Sequence, residues 1–192
     1  MIKPGKLIVI SGPSGVGKTT IFGEIKKIVP NIKRVVTTTT RLVRTNEVNG
    51  VDYYFITPDE FKRKIENNDF LEHAIYSNNY YGTTKQEVFN AMQQGMNVIL
   101  IVDIQGAMNI KKIYPNALFI FLKTTNLDVL RQRLIVRGTD NEEEIARRLK
   151  RAETELKYES EYDYIIINDI LSVAAEEFKK IIEKDFPVSK LD

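Results

Sequence analysis

Short apolar runs alternate with helical patterns along this chain. The runs occupy Leu7–Ile10, Asn97–Val102, Ala117–Leu122 and Tyr164–Ile167. Continuous runs of this length are typical of strands buried on both faces, as in a parallel sheet covered by helices. Helical patterns occupy 18–28, 105–113, 126–136, 141–158 and 170–184. The alternation predicts an α/β fold, a parallel sheet with helices on both faces joined by right-handed crossovers.

Residues 34–94 interrupt this alternation. The segments Asp52–Ile56 and Phe70–Tyr76 predict half-buried strands, and Arg34–Thr40 is β-branched and polar. Thr57-Pro58-Asp59-Glu60 supplies an N-cap, a Pro at the first helical position and a capping-box Glu, so a helix begins there. The interruption is therefore predicted to be a small α+β insertion.

Two further signals complete the predicted layout. Thr84–Glu87 repeats the capping box, and Gly95 is expected to end that helix. A second, shorter polar excursion covers 137–143. Ligands of open α/β folds bind at the carboxyl edge of the sheet, so we expect both excursions there. A core with two excursions suits an enzyme that brings two anionic substrates together and excludes water.

The segment between the first strand and the first helix is a complete G-x-x-x-x-G-K-[ST] phosphate-binding loop. Its glycines let successive N–H groups point at one anion, and the helix N-terminus adds positive charge. Lys18 is placed to reach the β- and γ-phosphates, and the Thr19 hydroxyl to ligate Mg²⁺. The strand–loop–helix context disfavours the alternative, a Gly-rich turn beside a surface Lys. The predicted nucleoside-triphosphate-binding residues are Gly12, Pro13, Ser14, Gly15, Val16, Gly17, Lys18, Thr19 and Thr20.

Composition narrows the class of protein. The 192 residues allow one domain with insertions. The 28 basic and 26 acidic residues nearly balance, without the excess of positive charge that is typical of nucleic-acid-binding proteins. No apolar run has transmembrane length, and the first residues lack a signal-peptide cleavage site. The chain has no Cys, which excludes disulfides, zinc–thiolate sites and a thiol nucleophile and fits a cytoplasmic setting. The lone His73 has no catalytic companions and is interpreted as structural or surface-exposed.

The insertion carries candidates for binding a second substrate. Arg41 and Arg44 are three residues apart in a predicted loop, and two guanidinium groups can hold a monophosphate, although two solvated arginines would look the same. Glu72 lies between apolar neighbours, where its carboxylate can accept the two adjacent donors of guanine. A hydroxyl of Thr37 or Thr83 can donate to guanine O6. The alternative for Glu72 is a plain strand-face carboxylate.

Tyr53 and Tyr81 are further candidates. Their hydroxyl groups can donate to a phosphate, and their alternative is ordinary aromatic packing. Adenine presents the opposite polarity at the edge that Glu72 would read, so the carboxylate–hydroxyl pairing favours guanine over adenine.

Taken in order, the motifs resemble those of bacterial guanylate kinases over residues 5–185. The motifs are GPSGVGKTT, TTR-x-x-R-x-x-E, NGVDYYF, FLEHA, NYYGTT, VDIQGA, RGTDNEEEIARRL and IIINDI. This family transfers the γ-phosphoryl group of ATP to GMP with Mg²⁺, in purine nucleotide metabolism. The resemblance implies a P-loop core (1–33, 95–125 and 150–192), a GMP-binding insertion (34–94) and a lid region (126–149).

By motif position, the resemblance also implies roles for single residues. The GMP-binding set is Thr37, Arg41, Arg44, Tyr53, Glu72, Tyr81, Thr83 and Asp103. The catalytic set is Lys18, Arg41, Arg137 and Arg148, with Arg133 as a secondary candidate; without the resemblance, Arg147 and Arg148 are a solvated helix face. Mg²⁺ would be held by Thr19, by phosphate oxygens and, through water, by Asp103. ATP and GMP, with dGMP as a further acceptor, are the expected partners; nucleic acid, membrane and an obligatory protein partner are not expected.

The chain departs from the family pattern at three positions. In the arginine loop, usually R-x-P-R-x-G-E, Val43 replaces the Pro and Asn46 the Gly. Asn tolerates positive φ, so we expect the turn to survive, whereas loss of the Pro frees a backbone torsion. Ile101 stands where many members carry an acid two residues before Asp103.

Two rival functions belong to other classes. One is a non-catalytic interaction module resembling this kinase, which typically has a degraded phosphate loop; here the loop is intact. The other is a nucleoside monophosphate kinase for AMP or a pyrimidine, which the polarity of the Glu72 pairing disfavours.

Overall fold

The computed structural model describes residues 3–76, 78–138 and 140–185. In chain order its strands and α-helices are β1 (Leu7–Ser11), α1 (Lys18–Ile28), β2 (Ile32–Arg34), β3 (Thr38–Thr39), β4 (Tyr54–Phe55), α2 (Pro58–Glu66), β5 (Phe70–Tyr76), β6 (Asn79–Thr84), α3 (Lys85–Gln93), β7 (Asn97–Ile101), α4 (Ile104–Ile113), β8 (Leu118–Lys123), α5 (Leu127–Arg137), α6 (Glu142–Leu156), β9 (Tyr164–Ile167) and α7 (Leu171–Asp185).

The predicted core strands form one five-stranded sheet in the order β2-β7-β1-β8-β9. The β2–β7 and β8–β9 pairs are parallel. All residues of β1 and the first five of β8 are buried, as continuous apolar runs predict for strands covered on both faces. Helices separate successive core strands, so the predicted α/β alternation is confirmed.

Strand β9 corrects one expectation from its sequence. The run Tyr164–Ile167 was predicted to be buried on both faces, but Ile165 and Ile167 are 39% and 45% exposed while Ile166 is fully buried. The reason is position, since β9 is the last strand of the sheet and α7 packs on it. An apolar run fixes that a strand forms, whereas its place in the sheet decides which faces are covered.

A second sheet has the order β4-β3-β6-β5, built on an antiparallel β5–β6 hairpin. Phe61 of α2 covers one face, with ring centroids 4.3 Å from Phe70 and 5.1 Å from Tyr80. A Cβ at Gly82 would lie within 3.0 Å of the Phe61 and Phe70 rings, so only glycine fits there. Because side chains alternate along a strand, Tyr81 and Thr83 lie on the other face, which we call the polar face.

By internal contacts the chain divides into two compact units. The first comprises Met1–Ile8, Asn31–Leu100 and Gln105–Leu118, and it contains the second sheet with α2 and α3. The second comprises Val9–Pro30, Ile101–Ile104 and Phe119–Asp192, and it contains the phosphate loop with α5, α6 and α7. Within the described residues, no helix is long and apolar enough to cross a membrane.

The predicted helix starts are confirmed, with one difference in chemistry. At α2 the Thr57 hydroxyl accepts from Glu60 N (3.2 Å) and the Glu60 carboxylate accepts from Thr57 N (2.8 Å), a reciprocal capping box. At α3 the Thr84 hydroxyl accepts from Glu87 N at 3.5 Å, but the Glu87 carboxylate accepts from the Tyr54 hydroxyl. Only the Thr84 half of the second capping box therefore forms, because the Glu87 carboxylate is bonded to Tyr54, which lies far away in the sequence. Gly95, with φ 79°, follows the end of α3 as predicted.

We predict that Thr57→Ala lowers the free energy of unfolding by about 1 kcal/mol, because it removes a reciprocal helix cap. Thr84→Ala should cost less, since only one long hydrogen bond is lost there. Urea denaturation of both variants measures the difference. A larger loss for Thr84→Ala would contradict this assignment of the caps.

Candidate functional site

The phosphate loop turns sharply and passes close to the backbone of strand β8. Gly12, Gly15 and Gly17 adopt positive φ angles of 142°, 89° and 94°. A Cβ at Gly12 would lie 2.0 Å from the Leu122 carbonyl oxygen, a backbone atom that cannot move aside cheaply. Gly17 is the N-cap of α1 and offers no side chain to the first turn of the helix. The N–H groups of that turn are therefore available to an anion.

Lys18 is folded back onto its own loop. Its ammonium donates to the Gly12 carbonyl at 2.5 Å and to the Pro13 carbonyl at 3.0 Å. Burial lowers the pKa of Lys18 to about 8, and the carboxylates of Glu155 and Asp103 partly oppose that shift. The loop thus holds one cation at its centre, on neutral acceptors that a phosphate can replace.

Two side chains from other parts of the chain donate to the Val16 carbonyl of the phosphate loop. It accepts from the Asn168 side-chain amide at 2.8 Å and from the Arg133 guanidinium at 3.2 Å. Arg133 also donates to the carbonyls of Asn168 (2.5 Å) and Asp169 (3.0 Å). In this structure the predicted secondary phosphate candidate Arg133 binds backbone carbonyls. Reasoning from the residues missed Asn168, whose only signal was its place in the IIINDI motif.

A buried polar cluster lies near the loop in the second unit. Glu155 is buried on α6 and accepts from Arg151 Nε at 2.8 Å; Arg151 is also 3.8 Å from an Asp103 carboxylate oxygen. Burial raises the pKa of Tyr162 to about 12; the Asp103 and Glu155 carboxylates add to this shift, and the neighbouring Ser11 hydroxyl opposes it. Tyr162 therefore stays neutral at physiological pH.

Thr19 and Asp103 are the residues predicted to hold Mg²⁺. Thr19 is exposed in the first turn of α1, and Asp103 lies two residues beyond β7 with a half-buried carboxylate. In 3–76, 78–138 and 140–185, no three acidic or His side chains cluster as a metal site. Mg²⁺ bound to a nucleotide needs only one or two protein oxygens, since phosphates and water supply the rest.

Arg148 reaches the phosphate loop from α6. Its guanidinium donates to Ser14 Oγ at 3.4 Å and pairs with Asp140 at 3.2 Å and Glu144 at 3.5 Å. Of the lid arginines predicted to face phosphate, Arg148 therefore lies at the loop. Arg137 is the last residue of α5, and its side chain lies outside the described residues, as does Thr139.

In the first unit, the polar face gathers an arginine and two tyrosines. The Arg41 guanidinium lies 5.4 Å from the Tyr53 ring centroid and 5.6 Å from that of Phe55. Tyr53 and Tyr81 meet edge to face at 6.1 Å. Arg41 also donates to a Glu47 carboxylate oxygen at 2.7 Å, which raises the pKa of Arg41 and lowers that of Glu47. The guanidinium is thus held in place by charge and by aromatic rings.

Glu72 and Thr83 form a cross-strand pair on the same face. They are in register between β5 and β6, and the Thr83 hydroxyl donates to Glu72 Oε1 at 3.0 Å. Thr83 is buried and Glu72 half-buried. A carboxylate and a hydroxyl thus lie side by side, the arrangement that the sequence suggested for reading guanine.

The remaining residues predicted for this site lie around the loop before β4. Thr37 is half-buried, and its carbonyl accepts from Tyr54 N at 2.9 Å. Arg44 is exposed, and its backbone N–H donates to the second Glu47 oxygen at 2.8 Å. Asn46 adopts φ 71°, so the turn survives the loss of the usual Gly as expected. Asp103, the last residue of the predicted GMP set, belongs to the second unit.

Glu47 was quoted within a motif but given no role. Its carboxylate joins the Arg41 side chain to the Arg44 backbone, so it closes the loop in which Val43 replaces a Pro. Glu47 follows Arg44 by three residues, with the turn-forming Asn46 between them, and this spacing could have suggested the role of Glu47.

Comparison with known proteins gives a consistent result. A family model described as guanylate kinase matches residues 4–185. A guanylate kinase of Lactococcus lactis is 46% identical over 185 residues, covering 96% of this chain and 90% of the relative. One of Carboxydothermus hydrogenoformans is 44% identical over 178 residues, covering 93% and 87%. The crystal structure of guanylate kinase from Anaplasma phagocytophilum superposes with a TM-score of 0.76 at 28% identity, covering 97% and 89%.

We predict that acetylation of Lys18 by acetic anhydride, followed by mass spectrometry, rises with pH around a midpoint near 8, because only the neutral amine reacts. Glu155→Gln should move the midpoint to lower pH by removing a charge that favours the ammonium. Glu153→Gln, an exposed change on the same helix, is the matched control. A midpoint near 10.5 in the unaltered protein would contradict the effect of burial.

Proposed function

The chain belongs to the guanylate kinase family, and on that premise we propose how its two half-sites divide the reaction. The enzyme transfers the γ-phosphoryl group of ATP to GMP, giving ADP and GDP. The observation that carries our division of roles is the pairing of an intact, Lys-centred phosphate loop with a carboxylate–hydroxyl pair on a separate polar face.

The polar face is proposed to bind GMP. Glu72 accepts from the N1 and N2 donors of guanine, and the hydroxyl that donates to O6 is that of Thr37, or that of Thr83 once it releases Glu72. The present Thr83–Glu72 hydrogen bond supports this assignment, because it holds the carboxylate at the required edge. Asp103 is assigned a supporting contact to the base. None of these contacts involves the 2′-hydroxyl, so dGMP is proposed as a further acceptor.

The GMP phosphate is assigned to Arg41, Arg44, Tyr53 and Tyr81. Arg41 is already fixed by Glu47 and by the Tyr53 ring, which lowers the entropic cost of binding the phosphate. Arg44 is exposed and its side chain is the adaptable part of the set. Together they supply charge-assisted hydrogen bonds to several phosphate oxygens.

The phosphate loop, Gly12–Thr20, is proposed to bind ATP. On binding, Lys18 exchanges the Gly12 and Pro13 carbonyls for β- and γ-phosphate oxygens, which restores its full charge. Thr19 and, through water, Asp103 are proposed to hold Mg²⁺, which when bound neutralises phosphate charge and orients the γ-phosphoryl group. Arg137 and Arg148 are assigned to the charge that develops on the transferring group.

The transfer needs no covalent intermediate on the protein. An oxygen of the GMP phosphate attacks the γ-phosphorus in line, a new P–O bond forms, and the bond to the β-phosphate oxygen breaks to release ADP. The attacking oxygen of a phosphate monoester is already anionic near neutral pH, so no strong general base is required. The protein's contribution is positioning, charge stabilisation and exclusion of water.

This division of labour corresponds to three parts of the chain. We propose 1–33, 95–125 and 150–192 as the ATP-binding core, 34–94 as the GMP-binding insertion and 126–149 as the lid region. The cysteine-free composition supports a cytoplasmic setting.

The decisive experiment is a coupled ADP-release assay with GMP, AMP, UMP and CMP as acceptors. The proposed roles require strong turnover with GMP alone. Turnover with AMP or a pyrimidine nucleotide would indicate a different monophosphate kinase, and no turnover with any acceptor would indicate a non-catalytic module.

We predict that Lys18→Ala lowers kcat/KM for ATP by about 10³-fold, because it removes the cation at the centre of the loop. Circular dichroism checks that the variant is folded. Lys27→Ala, which changes an exposed lysine on the same helix, should retain normal turnover. Near-normal activity of Lys18→Ala would show that the phosphate loop takes no part in the reaction.

We predict that Glu72→Gln reduces the preference for GMP over AMP by about 10²-fold, since the amide presents a donor to one of the guanine donors. The ratio of kcat/KM values for the two acceptors measures this preference. Glu66→Gln, at an exposed carboxylate that ends α2, is the matched control. An unchanged ratio would exclude Glu72 from recognition of the base.

A further inference from the structure

The joint between α5 and α6 carries a buried carboxylate that the proposed reaction does not use. The Asp140 side chain is only 7% exposed, although it lies in a short connection. Its Oδ1 is 3.2 Å from Arg148 Nη2, and among the described residues its Oδ2 has no hydrogen-bond partner. Among the residues that the structure describes, Arg148 is the cation paired with this carboxylate, and a buried carboxylate is held mainly by such a partner.

The local sequence explains why Asp140 faces Arg148. Gly138 ends α5 in the left-handed conformation, and the Asn141 side chain caps α6 by accepting from Glu144 N at 2.8 Å. Glu144 and Arg148 are four residues apart in α6 and so share one side of the helix, and Asp140, which directly precedes the N-cap residue, pairs with Arg148 on that side. The helix itself is fixed against α5 by a buried core of Leu130, Leu134, Ile145 and Ala152.

The other carboxylate near Arg148 holds it less firmly. Glu144 is 31% exposed, lies 3.5 Å from Arg148 Nε, and accepts from Arg147 with both of its oxygens at 2.7 Å. A partly exposed carboxylate that is shared between two arginines contributes less to fixing either of them. Asp140 is the less exposed and the nearer of the two, so it dominates the placement of the guanidinium.

The third contact of Arg148 is with the phosphate loop. Nη1 donates to Ser14 Oγ at 3.4 Å, so the guanidinium extends from Asp140 to the phosphate loop within the second unit. A free arginine side chain loses rotamer entropy when it is fixed. An arginine that is already fixed at the loop loses little further entropy when the triphosphate binds.

We propose that Asp140 is a positioning residue that holds the Arg148 guanidinium at the phosphate loop, ready for the triphosphate. This inference rests on the proposed function, in which Arg148 stabilises the transferring phosphoryl group. Asp140 itself does not touch substrate; it acts through Arg148.

The test is a double-mutant cycle of Asp140→Asn and Arg148→Ala, with kcat and KM measured for both substrates. Asn keeps the shape of the side chain and removes its charge. We expect Asp140→Asn to lower kcat about tenfold while KM for GMP is unchanged, and Arg148→Ala to lower kcat by about 10²-fold or more. The double variant should match Arg148→Ala, because Asp140 then has nothing to position.

Controls separate the possible causes. Glu143→Gln, an exposed change in the first turn of α6, should leave kcat unchanged. If Asp140→Asn does not fold, Asp140→Glu is the second variant; it keeps the charge but displaces the carboxylate by one methylene. It should lower kcat in the unaltered background and have no effect beside Arg148→Ala.

Each outcome decides one point. Normal kcat for Arg148→Ala would overturn the proposed role of Arg148. A loss for Arg148→Ala with normal kcat for Asp140→Asn would overturn the positioning role of Asp140 alone. A further loss of kcat when Asp140→Asn is added to Arg148→Ala would also overturn it, since Asp140 would then act on the fold rather than through Arg148.

Discussion

The buried ammonium of Lys18 is the constraint on which the nucleotide-binding half of this protein depends. Taking a cation out of water is costly, and the loop offsets that cost with two of its own carbonyls and with the nearby Glu155 and Asp103 carboxylates. Gly12 turns at a point where a Cβ would lie 2.0 Å from the Leu122 carbonyl oxygen, so this turn of the loop requires glycine. The same geometry leaves the first N–H groups of α1 free for an anion.

The two half-sites solve the same electrostatic problem in different ways. Lys18 donates to neutral carbonyl groups, whereas Arg41 pairs with the Glu47 carboxylate and Arg148 pairs with the Asp140 carboxylate. In each case a cation that is proposed to bind phosphate is already fixed, so little ordering is left for the moment of binding. The Glu72 carboxylate, proposed to bind guanine, is likewise held, by the Thr83 hydroxyl.

Much of this fold and site could be predicted from local sequence. The phosphate loop and the helix beginning at Lys18 follow from spacing and residue chemistry alone. Glu72 and Thr83, named as candidates for one site, lie hydrogen-bonded to each other. What local sequence could not supply was tertiary: β9 is exposed on one face because it ends the sheet, and Glu87 leaves its capping box for Tyr54. Asn168 escaped notice for the same reason, since it donates to the Val16 carbonyl, which is distant in the sequence. Glu47 and Asp140 act on arginines nearby in the chain, and their contacts depend on the conformation of a loop that spacing alone does not specify.

Proton uptake on binding of ATP tests the central role of Lys18 most directly. Calorimetric titration with Mg²⁺–ATP at pH 8, in buffers of different ionisation enthalpy, measures the number of protons taken up. About half a proton per site is predicted, because half of the free Lys18 is neutral near its pKa and the phosphates restore its charge. Lys18→Arg, which is always charged, should show no such uptake. Binding without proton uptake in the unaltered enzyme would contradict the account.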